Sequence, residues 1–158
     1  MSEASQIQVE RIFISPGHNF FGHNGQPAGT HPAIEVGEVE CVAGKGLAGD
    51  RFFNFKENYK GQVTFFAAEV FDEVCRRLGV SGKPAGVTRR NVITRGADLN
   101  MLVGQKFSIQ GVEFEGACEC SPCHWMDEAI APGAESALQG RGGLRARILS
   151  DGKLRAGA

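Results

Sequence analysis

Cys118, Cys120, Cys123 and His124 put three thiols and an imidazole within seven consecutive residues. The C-x-x-C-H string they contain, Cys120-Ser121-Pro122-Cys123-His124, serves four kinds of chemistry: covalent haem attachment, half of a zinc site, a redox dithiol, or one reactive thiolate serving another cofactor. Haem attachment needs thioether bonds to both cysteines, an axial histidine and export to the compartment where those bonds are made. The segment 1–9 is polar and mixed in charge, without the basic start and apolar run of an export signal, so no haem is expected. A closed zinc site takes four ligands, usually as two pairs from separate segments, and no second C-x-x-C exists here, which disfavours zinc at the thiols. A thioredoxin-like dithiol sits at the start of a helix in a βαβ unit, where the helix end lowers a thiol pKa. The local strand-then-helix order fits that pattern, but the β-rich chain as a whole does not. A single reactive thiolate remains, beside the plainer reading of buried free cysteines.

The arginines favour the reactive reading. Arg51, Arg89, Arg90, Arg95, Arg141 and Arg145 each lie within two residues of a glycine or asparagine, in or next to expected turns. An Asp50-Arg51 loop, an Arg89-Arg90-Asn91 strand end and a Gly140-Arg141-Gly142-Gly143 turn offer guanidinium forks and glycine-freed backbone amides, which is what a phosphate requires. For any one of these arginines the alternative is an ordinary surface charge paired with one of the 18 acidic residues. His18, His23 and His31 occupy a polar, aromatic, glycine-rich stretch and offer either metal ligands or simple hydrogen bonds. Neither a P-loop nor a G-x-S-x-G string occurs, which removes support for common nucleotide-binding and hydrolase readings.

The elements that must hold these residues belong to one domain spanning 1–158, long enough to bury a core without disulfide staples. A net charge of -1 and a pI near 6.4 give no bias towards nucleic acid or an anionic membrane, and no apolar run approaches a membrane span. The cytoplasm is the expected compartment, and five cysteines there argue against a disulfide framework. Twenty-two glycines against six prolines indicate many tight turns between short strands. Strand patterns cover 7–14 with a parity break at Glu10-Arg11, 34–42 with a bulge at Gly37-Glu38, 62–66, 87–94, 142–149 and 153–155. A hairpin joins 106–109 to 112–115 around Gln110-Gly111. One good helix covers 69–78, with Val70, Phe71, Val74, Cys75 and Leu78 on one face and Gly79 at its end. Shorter helical stretches fall at 125–131 and 134–138. A flexible tail is expected at 1–6 and a loop insertion at 16–33. About seven or eight short strands with a few helices make a mainly β, β-rich α+β domain, a barrel or a sandwich.

In order and spacing, Gly49-Asp50-Arg51, Gln62-Val63-Thr64, Arg89-Arg90-Asn91, Thr94-Arg95-Gly96, Leu102-Val103-Gly104, Ile109-Gln110-Gly111, Cys120-Ser121-Pro122-Cys123 and Gly140-Arg141-Gly142-Gly143-Leu144-Arg145 resemble the MOSC domain family, named for the C-terminal part of molybdenum cofactor sulfurases. The resemblance runs from about Ile7 to the C-terminus, as in a stand-alone member. It implies a β-barrel, association with the molybdenum cofactor (molybdopterin), and a functional cysteine that the Pro-Cys pattern places at Cys123. On that basis Cys123 is expected to ligate molybdenum or carry a persulfide, and Cys120 to assist as a resolving thiol. Arg89, Arg90, Arg95, Arg141 and Arg145 are expected around the cofactor phosphate, with Asn91 as a neutral hydrogen-bond partner and Asp50 and Arg51 lining the pocket. Two activities follow from the resemblance: reduction of N-hydroxylated small molecules with electrons from a redox partner protein, or non-catalytic carriage of sulfur or cofactor with a sulfur-donor protein. The sequence departs from the family where Phe52, instead of the histidine of many relatives, follows Gly-Asp-Arg.

Overall fold

The computed structural model describes residues 7–16 and 33–157; the expected tail and the loop bearing His18, His23 and His31 lie outside them. The strands in chain order are β1 (Gln8–Ile14), β2 (Ile34–Val36), β3 (Glu38–Val42), β4 (Gly46–Leu47), β5 (Val63–Ala67), β6 (Val92–Arg95), β7 (Lys106–Ile109), β8 (Val112–Glu119), β9 (Leu144–Ile148) and β10 (Gly152–Arg155). Helices α1 (Ala68–Arg77), α2 (Trp125–Ala129) and α3 (Ala134–Ala137) complete the set with two 3-10 turns, Ala85–Thr88 and Leu99–Leu102.

Seven strands form a mixed sheet in the order β2-β1-β6-β5-β9-β8-β7, and β10-β3-β4 form a second, smaller one. The β5–β6 pair is parallel, and the connection between them carries α1. That is the crossover a parallel pair demands. Every other ladder is antiparallel. The chain is therefore the expected β-rich α+β fold, but the larger sheet ends at β2 and β7 among the described residues and does not close into a barrel.

One core lies between the sheets, where Phe65, Phe107 and Phe114 meet with ring centroids 5.2 to 5.7 Å apart among Ile12, Leu47, Leu144 and Ile148. The other lies under the helices, where Phe71 and Val74 of α1, Met126 and Leu138 pack on Phe66 and Ile93. Alternation explains the division. In β5, Phe65 points to one core and Phe66 to the other, so the strand reads as a continuous apolar run buried on both faces. Each fully buried large side chain contributes about 1.5–3 kcal/mol of hydrophobic stabilisation.

The parity break in β1 is real: its register against β6 slips between Val9 and Arg11. Two strand expectations change. The pattern over 34–42 is two strands in different sheets, divided at Gly37. The pattern over 87–94 begins as a 3-10 turn, and Arg89 adopts a left-handed conformation (φ 60°) that ends it before β6 starts at Val92. Gly44-Lys45-Gly46-Leu47-Ala48-Gly49 has the spacing of a dinucleotide fingerprint, but it forms a tight β3–β4 turn with no helix behind it. Without the helix N-terminus the pyrophosphate cradle of such a fingerprint is missing. No helix among the described residues is long and apolar enough to cross a membrane.

Candidate functional site, an arginine cluster at the cysteine loop

The sheet order places β6, β5, β9 and β8 side by side, so residues distant in sequence converge at one end of these strands. Arg89 and Arg90 immediately precede β6, while Arg145 of β9 pairs with Thr64 of β5 on one side and Cys118 of β8 on the other. The β8–β9 register shifts between Gly116 and Cys118, and the chain leaves β8 into the cysteine loop with the Cys120 N–H donating to the Gly143 carbonyl at 2.8 Å. Gly142 lets the two segments touch: a Cβ there would fall on the Cys120 carbonyl and within 2.8 Å of Pro122 Cδ. Gly143 adds a backbone turn at φ 118°, a conformation open to glycine.

Arg90 fastens this junction. Its Nε donates to the Gly142 carbonyl (2.9 Å), Nη2 to the carbonyls of Cys120 (3.0 Å) and Ser121 (3.4 Å), and Nη1 to that of Thr88 (3.3 Å). One guanidinium thus holds the cysteine loop, the glycine turn and the entry to β6 together. Arg51 is held in turn by Asp50, which is buried and accepts from Arg51 Nη1 (3.1 Å) and from the Ser15 (3.0 Å) and Phe52 (3.3 Å) amides. Arg51 Nη2 donates to the Arg89 carbonyl at 3.2 Å, and its guanidinium carbon lies 4.6 Å from the Phe52 ring centroid. Phe52 therefore supports Arg51 by a cation–π contact.

Electrostatics single out the same residues. Burial lowers the Arg51 pKa, Asp50 opposes that shift, and Arg90 adds to it. Burial and the charge of Arg51 push Arg89 down to about 10, against the pull of Asp50. Arg89 Nη2 also donates to Ser15 Oγ at 2.7 Å. Both groups stay charged at neutral pH, so like charges are held close at a cost. Arg145 shifts the other way: burial works against its charge, yet Cys120, by charge and side-chain hydrogen bond, then Tyr59 and Cys118, carry it above its ordinary value. Cys120 also acts on Arg51. The buried thiol facing two arginines is thus Cys120, whereas Cys123 is half-buried just ahead of α2, its carbonyl accepting from the Met126 amide.

The structure gathers Asp50, Arg51, Arg89, Arg90, Arg145 and Cys120, with Cys123 three residues along the loop. It does not bring Arg95 or Arg141 to that cluster. Arg95, at the far end of β6, donates to Glu10 (2.6 Å) and Asp72 (2.8 Å). Arg141 grips Glu73 of α1 with two hydrogen bonds (2.5 and 3.2 Å) and the Ala137 carbonyl with a third. Asn91 lies within the cluster's framework, but its amide is spent there. Its Oδ1 accepts from the Thr64 amide and hydroxyl (both 3.0 Å), its Nδ2 donates to the Phe13 carbonyl (3.1 Å), and it is buried. It ties β1, β5 and the start of β6 together. Sequence reasoning missed Ser15 and Tyr59. A serine closing an apolar strand and the chain's single tyrosine, in an aromatic turn with Phe52 and Phe55, are the faint signals that mark them.

Half-buried cations beside thiols suit an anion that is itself partly desolvated, and the donor set of guanidinium forks fits a phosphate. Among solved structures the fold resembles the YuaD protein from Bacillus subtilis, with a TM-score of 0.69 and 16% identity over 95% of this chain and 91% of that one. It also resembles YiiM from Geobacillus stearothermophilus (TM-score 0.67, 16% identity, 96% of this chain and 72% of that one) and YiiM from Escherichia coli (TM-score 0.60, 20% identity, 94% and 67%). No curated protein matches the sequence. The MOSC domain model matches residues 43–158, a span that contains the arginine cluster apart from its Ser15 contacts and all of the cysteine loop, and the chain belongs to the MOSC domain family.

Proposed function

We propose that this protein binds the molybdenum cofactor at the arginine cluster and uses Cys123 as a molybdenum ligand in reducing N-hydroxylated small molecules. The family is associated with that cofactor. The observation that carries the reading is the convergence of Arg51, Arg89 and Arg145 beside the cysteine loop, where burial and mutual repulsion depress the pKa values of Arg51 and Arg89. A fold maintains such a cost when a bound anion relieves it. Arg89 and Arg145 are suited to the cofactor's phosphate, Arg51 to its flank, and Arg90 and Asn91 to keeping the framework rigid. Cys123 is the accessible thiol of the loop, and soft sulfur suits molybdenum once deprotonated. When bound, the cofactor would supply the two-electron chemistry that converts an N–OH group to N–H with release of water, the two electrons coming from a redox partner protein and the two protons from solvent. The protein's own part is to bind and orient the cofactor.

One observation favours a second reading, sulfur carriage: Cys118, Cys120 and Cys123 lie on one short segment with Cys120 buried against Arg145, an arrangement suited to a persulfide on Cys123 and a resolving thiol on Cys120. Metal and pterin analysis of protein made in a cofactor-producing host separates the two. One molybdenum and one pterin per chain, with molybdenum lost in Cys123→Ser and retained in Cys120→Ser, supports the enzyme reading. Cyanide-releasable sulfur on Cys123 without molybdenum establishes the carrier, and wild-type protein free of molybdenum, pterin and labile sulfur sinks both.

A further inference from the structure

His124 has no part in the anion site, and on sequence alone it is incidental to the thiols before it. In the fold it is one of three. A ring nitrogen of His124 and carboxylate oxygens of Asp127 and Glu135 all lie within 4.8 Å of one another, each residue half-buried. We infer that these three side chains form a binding site for one divalent first-row transition metal ion of the zinc class, separate from the arginine cluster and independent of the cofactor reading.

The local structure explains how the group assembles. His124 stands at the residue just before α2, and Asp127 lies three positions on, which puts the two side chains on one face of the turn. The chain then turns through Gly133 in a left-handed conformation (φ 97°) and begins α3, whose second residue is Glu135. Met126 and Ala129 of α2, Ala134 of α3 and the adjoining Leu138 sink into the second core, so the polar residues between them are forced to the same rim. The Trp125 indole N–H donates to the Val87 carbonyl at 3.0 Å and fixes the orientation of α2.

Asp127 is presented as a ligand should be. Its Oδ1 accepts the Glu135 amide at 2.8 Å, which leaves Oδ2 for an ion. An outer hydrogen bond of this kind orients a carboxylate before the ion arrives and is a regular part of metal sites. The same bond ties the backbone of α3 to the side chain from α2, so the two carboxylates stay near each other despite repulsion that a cation would remove. One imidazole with two carboxylates is a borderline-to-hard donor set. It suits zinc and its neighbours in the first row, while the imidazole sets it apart from the oxygen-only sites preferred by magnesium and calcium. Three protein ligands leave a further position for water. Cys123 is not part of the group, although it directly precedes His124, so the proposed ion would brace the α2–α3 pair that follows the cysteine loop.

The full chain is stripped with a chelator and titrated with zinc against a chromophoric competitor, with thermal unfolding followed in parallel. One equivalent of zinc and a rise in Tm are expected for the wild type. His124→Ala, Asp127→Asn and Glu135→Gln should each weaken binding at least ~10-fold and abolish the Tm rise, since loss of an outer-shell partner alone costs about that much. Cys123→Ser, Cys120→Ser and a triple His18→Ala/His23→Ala/His31→Ala variant should bind as the wild type does. A wild type that takes up no zinc overturns the proposal, as does zinc retained by the three ligand variants or lost with the thiols or the other histidines. Cobalt substitution in the wild type decides the matter should a ligand variant fail to fold. Weak visible bands without thiolate-to-metal charge transfer support the site, and strong near-ultraviolet charge transfer places the ion on sulfur and rejects it.

Discussion

The two ends of β6 carry the same residue type in opposite circumstances. Arg95, at the C-terminal end, is matched by Glu10 and Asp72, and those hydrogen bonds raise its pKa above the ordinary value. Arg89 and Arg90, just before the strand begins, are half-buried among other guanidinium groups, and Arg89 is pushed down to about 10. At one end two acids satisfy one arginine; at the other one acid, Asp50, faces both Arg51 and Arg89, while Arg90 is spent on backbone carbonyls. The contrast separates matched from crowded charge, which a count of arginines does not. A matched pair is complete, whereas a crowded cluster is stabilised further by an anion.

The largest effect should come from the arginine that works as a clamp. Arg90→Ala removes donors from the carbonyls of Gly142, Cys120, Ser121 and Thr88, two of which belong to the junction at Gly142 where no side chain fits. Leaving partly buried carbonyls unsatisfied is expected to cost about 2–4 kcal/mol, read as a lowered midpoint in urea unfolding. Arg95→Met breaks two exposed ion pairs and should cost no more than about 1 kcal/mol. Equal losses at the two positions would mean that Arg90 is one more surface charge.

The same contrast shows what the sequence could and could not disclose. Periodicity located β1 with its slip, the β7–β8 hairpin at Gln110-Gly111 and α1, because each has a local pattern with a local cause. Arg89 hid the start of β6: a stretch of strand-forming residues conceals one left-handed arginine, whose conformation is set by tertiary contacts. Six arginines near turns looked equivalent in sequence. Nothing local tells that Arg141 reaches Glu73 across sixty-eight positions or that Arg95 reaches Glu10 across eighty-five, so sequence alone does not set those two apart from the cluster. Barrel closure was equally invisible, because it depends on whether edge strands β2 and β7 find partners, a matter of long-range register. Asn91 fits a ligand-binding motif as well as a structural one until its amide is seen bonded to Thr64 and Phe13.

Anion binding tests the cluster without any cofactor. Inorganic phosphate at ten times its Kd should stabilise the wild type by about 1.4 kcal/mol, the value given by mass action for a ligand that binds only the folded chain. Arg95→Met should keep that gain, read as a phosphate-dependent Tm, while Arg89→Met and Arg145→Met should lose most of it. A phosphate response that survives in both cluster variants, or that disappears with Arg95, would show that the two ends of β6 do not differ in the way their partners suggest.

The smallest effect lies in alkaline stability. Folding pushes the Arg89 pKa down to about 10, so between that value and the higher unfolded one the unfolded chain holds a proton that the folded chain has released. Stability rises with pH wherever the unfolded state binds more protons. The penalty from the charged Arg89 is therefore complete below about pH 10 and fades as pH climbs towards the unfolded value. Relative to Arg89→Met, the wild type should gain stability from about pH 9 to about pH 11.5, with a slope below the one-proton limit of about 1.4 kcal/mol per pH unit because solvent screens a half-buried group. Arg95 is raised instead, and whatever it contributes is fully present below its unfolded pKa. The difference between wild type and Arg95→Met should accordingly stay flat over the same range. Parallel slopes in the two comparisons, measured by urea unfolding at each pH, would remove the electrostatic distinction between the ends of β6 and leave the anion site resting on geometry alone.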